Sequence, residues 1–210
     1  MPDLLLNNLW PGLVAWSILY CSDYGLTIAS ARLYQGGARD KVALEGSYEI
    51  TPYFQRDVDA LRLVSPRFLA ALLLSLIWLT ALWWVSTSSW PLMYSFGLGL
   101  VILGELAIHM RHFRNLLLFR AIIRTDEVRG RIEYSRGLIL RMSSFEFLAF
   151  SGLFTVLFLF TRSAFVLGGA AASSTLTCHR AVRLSAIVRR LGFHYEAAMG
   201  NVCDGGVARG

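Results

Sequence analysis

Glu105, His109 and His112 stand at spacings i, i+4 and i+7 in the stretch from Trp90 to Arg114, WPLMYSFGLGLVILGELAIHMRHFR, and so share one face of a helix. One carboxylate and two imidazoles on one face can relay a proton, hold an ion, or fasten one helix to the next. Asp23 and Thr27, four residues apart, offer a second set on another apolar segment, and His179 a third near the end of the last one. An aspartate at the centre of a bilayer costs about 2.5–3.5 kcal/mol on insertion scales, so groups of this kind face other helices or water rather than lipid. Ser17, Tyr20, Asp23, Thr27, Ser30 and Tyr34 recur three or four residues apart and form one polar stripe.

The segments that position these residues are apolar. The 210 residues are 55% hydrophobic, with a mean hydropathy of +0.52 and only 16% charged residues, values of an integral membrane protein. We expect an all-α, polytopic transmembrane bundle of about five spans, at 10–34, 68–85, 91–112, 142–161 and 164–188. Residues 1–190 form one domain and 191–210 a flexible glycine-rich tail. Asn7 or Asn8 caps the first span, with Pro11 in its first turn. The second span carries no charge. The turn STSSWP makes it a hairpin with the third. Pro52 and Pro66 break the connection 36–67, in which Asp57, Val58, Ala60, Leu61 and Val64 allow a short amphipathic helix at the membrane surface. The connection 111–141 has the turn-rich centre RTDEVRGRIEYSRG and reads as a hairpin or irregular loop. Arg162-Ser163 divides the fourth span from the fifth, where Gly169, Ser173 and Thr177 allow close helix packing. The N-terminus lacks a basic n-region and an A-x-A site, so no cleaved leader is expected.

Charge sets the orientation. The net charge is +6 and Lys41 is the only lysine. Of the twenty Lys and Arg, six lie in 32–67, eight in 111–141 and five from Arg180 onward, with Arg162 alone on the other side of a five-span chain. The positive-inside rule then places the N-terminus outside and the C-terminus in the cytoplasm. The arginine bias points to a bacterial inner membrane. The same distribution explains the pI of 9.6 without nucleic acid. Three cysteines without C-x-x-C imply neither a disulfide framework nor a zinc knuckle, and Cys21 and Cys178 fall within helices.

Asp23 and Glu105 fall at comparable depth. The cavity candidates are therefore Asp23, Thr27, Glu105 and His109, followed by Tyr20, Glu49, His112 and His179. Arg111, Arg114, Arg180 and Arg183 are expected to contact anionic phospholipid head groups. The partners expected are the bilayer and those head groups, with a homo-oligomer or a larger membrane complex as the assembly. The leading expectation is a binding or accessory module whose polar cavity opens toward the cytoplasm. The alternative is a small proton- or ion-coupled transporter or channel subunit. No cofactor is expected. A haem or metal held by His109 with His179 or His112 is the third reading. Against these stands the reading in which Asp23 and Glu105 pair with Tyr, Thr, His or Arg simply to fix helix packing. No H-E-x-x-H, P-loop or nucleophile–base arrangement is present.

Asp23-Tyr-Gly-Leu-Thr27 followed by Glu49-Ile-Thr51-Pro52 resembles an uncharacterised family of small bacterial multi-spanning membrane proteins. Its pattern is an aspartate, a threonine four residues on, and E-x-N-P downstream. Thr51 stands where that family has asparagine. The resemblance covers about thirty residues, implies no chemistry, and adds Glu49 and Pro52 to the residues of interest. On the residues alone, Glu49–Pro52 is a turn that ends the surface segment.

Overall fold

The computed structural model describes residues 8–125 and 129–204. Asn7 and the last six residues of the tail lie outside them. Helix α1 (Leu9–Leu33) starts after Asn8 at its N-cap, with Pro11 where no intrahelical N–H bond is lost. Its stripe turns inward: Asp23, Thr27, Ser30 and Tyr34 are buried, while Val14 and Ile18 are exposed. Tyr34–Ala38 then widen into a π turn containing Gly37 at φ 145°, a conformation that favours glycine. Strand β1 (Val42–Leu44) follows.

Helix α2 (Pro52–Asp59) has Pro52 in its first turn. The Glu49–Pro52 turn thus opens a helix rather than ending a segment. The helix lies earlier in the chain than the pattern 57–64 and stops at Asp59, because Ala60 caps it and Leu61 turns away at φ 51°. On its inner side Val58 packs on Ile28 and Ala31 of α1. Buried Asp57 accepts a hydrogen bond from Ser65 at 2.6 Å, and Ser65 caps α3 (Pro66–Ser88) by accepting from the Arg67 and Phe68 N–H groups.

Helix α4 (Met93–Arg124) runs well past the exit expected at Arg111. The segment RHFRNLLLFRAIIR contains no glycine or proline. Its Phe119 and Ile122 bury against Tyr34, Ala38 and Val42, so packing carries the helix through its charges. The connection expected at 111–141 is thereby reduced. Its centre supplies strand β2 (Ile132–Tyr134), paired in parallel with β1 in the register Val42↔Ile132, Ala43↔Glu133, Leu44↔Tyr134. This two-stranded ribbon is the exception to an otherwise all-α fold. Helix α5 (Arg136–Thr161) is capped by Ser135. It ends at Arg162, φ 51°, which separates it from α6 (Ala164–Asp204). The tail expected to be flexible from residue 191 is helical to Asp204. Cys21 and Cys178 are helical, and both are exposed.

Three helices, α3, α4 and α5, are long and apolar enough to cross a membrane. The chain therefore has the make-up of an integral membrane protein. Leu73, Leu74, Ile77, Trp84, Phe145 and Phe160 stand exposed, a surface suited to acyl chains. Contacts along the bundle fix helix direction. Tyr94 donates to the Leu9 carbonyl at the start of α1 and α4, and Tyr34 meets Phe119 at their far ends, so these two helices run parallel. Gly104 faces Ala172 further along than Gly99 faces Phe165, so α6 runs with them. α3 and α5 run the other way, as Trp16 on Ser75 and Ser151 on Ser174 require.

The α4–α6 contact depends on absent side chains. A Cβ at Gly99 would overlap the Phe165 backbone, and one at Gly168 the Phe96 carbonyl; at Gly104 it would stand 2.8 Å from the Ala172 Cβ. Gly99→Ala or Gly168→Ala should lower the melting temperature in detergent by roughly 3–10 °C, from an overpacking cost of about 1–3 kcal/mol. Gly152→Ala, which meets nothing within 4 Å, should leave it unchanged or raise it slightly. Thermal unfolding of the three variants side by side checks this.

Candidate functional site

The buried polar residues converge where α1, α4 and α6 pass one another near the ribbon end. Helix rise puts Asp23 about 21 Å along α1 from Leu9, beside the second half of α4. Asp23 is 6% exposed and meets His112, whose Nδ1 lies 3.0 Å from Oδ1 and 3.0 Å from Oδ2. The Thr27 Oγ1 stands 2.8 Å from the same nitrogen and donates to the Asp23 carbonyl at 3.0 Å. On the other side of the ring, Nε2 is 3.1 Å from Arg111 Nη2. A guanidinium only donates, so Nε2 must accept, and the ring proton sits on Nδ1, pointing at Asp23. Arg111 also donates from Nη1 to Ser143 Oγ at 2.9 Å and stands over the Phe147 ring at 5.7 Å. One continuous chain, Asp23–His112–Arg111–Ser143, ties α1 through α4 to α5.

This chain has chemical consequences. The Nε2 lone pair of His112 accepts from Arg111 and its Nδ1 proton is directed at Asp23, so an incoming proton or metal ion would have to displace Arg111 to reach the ring. His109 Nδ1 approaches Asp23 Oδ1 only to 3.5 Å and has no hydrogen-bond partner. Among the described residues no group of three or more His, Cys, Asp and Glu is placed to hold a metal ion. His179 is exposed on α6, apart from the cluster, whereas its neighbour Arg180 turns inward and is 7% exposed.

A cavity of about 140 Å³ opens beside the chain. Asp23, Thr27, Tyr20, Glu105, Glu49 and Arg180 are among its walls, with Arg111 and His112. Glu105 lies beside Asp23. Glu49 is buried, and its Oε1 accepts the Thr51 N–H at 2.6 Å. A second cavity, of about 210 Å³, lies between the ribbon and the ends of α4 and α5. Leu118, Ile122, Ile132 and Ile139 give it an apolar lining, and it shares Glu49, Arg111 and His112 with the first. Tyr48 also lines it, and burial pushes that phenol above its ordinary range.

The structure therefore gathers Asp23, Thr27, Glu105, His109, His112, Tyr20 and Glu49 and leaves His179 out. Of the four arginines expected at lipid head groups, Arg111 and Arg180 turn inward, while the Arg114 side chain stays 53% exposed. Arg111 and Arg180 are buried, Arg114 pairs with Glu146, and Arg183 donates to the Ile50 carbonyl at 3.2 Å. An arginine beside a packed helix gains more from fixed acceptors and an aromatic face than from mobile head groups. Sequence reasoning missed the inward role of Arg111, Arg180 and Ser143. A signal existed: Arg111 is seven residues after Gly104, and Arg180 seven after Ser173, so each continues a face of small residues that packs on a neighbour.

Compared with protein-family models, with curated proteins and with solved structures, the chain matches none.

Loss of Arg111 leaves His112 Nε2 and Ser143 without their donor. Arg111→Gln should lower the melting temperature by roughly 3–12 °C, the effect of stranding buried partners at about 1–3 kcal/mol. Arg120→Gln, exposed on the same helix, should change it by less than about 2 °C. Equal losses in the two variants would mean that the buried contacts of Arg111 contribute nothing.

Proposed function

We propose that the protein is a membrane-embedded binding module with five spans. Its polar cavity opens toward the cytoplasm of a bacterial cell, and the chain Asp23–His112–Arg111 is the framework that holds the cavity open. The observation that carries this reading is the double engagement of His112. A histidine whose two nitrogens are both bonded within the protein serves as a strut, leaving the cavity beside it free for a ligand. Both halves of the pattern line this cavity, Asp23 and Thr27 from one and Glu49 and Thr51 from the other.

The topology rests on the alternation of helix directions and on the ribbon. Parallel pairing of Val42–Leu44 with Ile132–Tyr134 needs the first and third connections on one side. Those connections and the segment from Arg180 hold nineteen of the twenty Lys and Arg, which makes that side the cytoplasm. α1 lowers its hydropathy with a stripe that faces the protein, so it crosses the bilayer as an inner helix. Its partner is the bilayer, with oligomeric assembly through the exposed apolar faces.

A proton- or ion-coupled transporter is the second reading. In its favour are Glu105 beside Asp23 and the unpartnered His109 Nδ1, ionisable groups around one cavity within the span.

Two measurements separate these readings. In proteoliposomes the wild type should pass protons and small ions no faster than empty vesicles. Asp23→Asn and Glu105→Gln should lower the melting temperature, Asp23→Asn by roughly 5 °C or more. Flux that is lost in both variants while their stability is unchanged would establish transport instead. A reporter fused after Arg190 should read cytoplasmic and one at Ser88 external. A periplasmic C-terminus would remove the five-span arrangement.

A further inference from the structure

Two arginines reach the first cavity, and they differ in what remains available. Both terminal nitrogens of Arg111 have an acceptor, Ser143 for Nη1 and His112 for Nη2. Arg180 is 7% exposed, its guanidinium stands 5.0 Å from the Phe147 ring, and its Nη1 has no hydrogen-bond partner. A buried guanidinium N–H without an acceptor is costly, so an acceptor is wanted at this position. Of the three carboxylates on the cavity wall, Asp23 meets His112, Glu49 accepts the Thr51 N–H, and Glu105 lies beside Asp23. Beyond the shared walls Glu49, Arg111 and His112 lies the second cavity, larger and lined by Leu118, Ile122, Ile132 and Ile139. A cationic donor beside one cavity and an apolar lining in the adjoining one are complementary to the two ends of one kind of molecule.

We propose that Arg180 binds the oxyanion, a phosphate or carboxylate, at the head of a single-chain amphiphile whose apolar chain occupies the second cavity. This inference rests on the binding-module reading above and names its ligand class. The planar guanidinium donates in a fork that matches an oxyanion, and a dry site strengthens that pairing. The apolar chain gains by leaving water for the second cavity, and a bilayer supplies such amphiphiles in its own plane.

The test is calorimetric titration of the full chain, in an uncharged maltoside detergent, with dodecyl phosphate and with inorganic phosphate. Dodecyl phosphate should bind, and inorganic phosphate should bind at least about ten-fold more weakly, for want of the chain. Arg180→Gln should weaken dodecyl phosphate by about ten-fold or more, the effect of a lost charged hydrogen bond. Arg180→Lys, which keeps the charge, should lose less than Arg180→Gln, and it serves as the reading if the glutamine variant does not fold. Ile139→Trp, which fills the second cavity, should abolish the advantage of dodecyl phosphate over inorganic phosphate. The proposal is overturned if the wild type binds neither anion. It is equally overturned if inorganic phosphate binds as tightly as dodecyl phosphate, or if both Arg180 variants bind like the wild type. Failure here without ion flux would overturn this inference alone, whereas flux dependent on Asp23 would overturn the reading beneath it.

Discussion

A carboxylate taken out of water must be met by donors, and the arrangement of this bundle follows from how Asp23 is met. His112 covers both of its oxygens from α4, Thr27 closes in from the next turn of α1, and Arg111 holds the ring from behind. The cost of an aspartate at membrane depth, about 2.5–3.5 kcal/mol, is of the same order as one or two charged hydrogen bonds, about 1.5–3 kcal/mol each. The chain can therefore keep the group only where α1 and α4 are in register. That register also places Tyr94 at the Leu9 carbonyl and Tyr34 on Phe119, at opposite ends of the pair.

The remaining elements brace this pair. α6 reaches α4 through Gly99, Gly104 and Gly168, and so carries Arg180 to the depth of Arg111. Phe147 of α5 presents its ring to both guanidinium groups. The ribbon and α2 close the end where the polar residues gather, with Val58 under Ala31 and Leu44 N–H donating to the Tyr34 hydroxyl. The outward faces of α3 and α5 expose leucine, isoleucine, phenylalanine and tryptophan, a surface suited to acyl chains. The acids and the histidine that line the first cavity sit on α1, α4 and the loop before α2, while α5 contributes Ser143, Glu146 and Phe147 to the neighbouring arginines.

Much of this was legible in local signals. Pro66 and the Arg162-Ser163 break mark helix ends because proline and a left-handed residue act over one or two residues, while Asn8 holds the N-cap position without a side-chain capping bond. The stripe from Tyr20 to Tyr34 announced an inner face because a lipid-facing aspartate is too costly. What could not be read depended on partners distant in sequence. Arg111 looks like the end of a span by charge alone, yet Phe119 and Ile122 find Tyr34 and Val42, and the helix goes on to Arg124. The strands are three residues each and exist only because the two connections lie side by side. His112 and His109 share a face in the sequence, but only the packing of α1 decides which of them Asp23 takes. Arg180 and His179 are adjacent, and which of the two turns inward was set by the small-residue face of α6.

The direct measurement is a double-mutant cycle on thermal unfolding in detergent, combining Asp23→Asn with His112→Ala. If Asp23 and His112 hold α1 against α4, the two changes should be strongly non-additive, with a coupling of about 1–2 kcal/mol. Additivity within about 0.5 kcal/mol would mean that each residue is stabilised by other contacts, and would contradict the account.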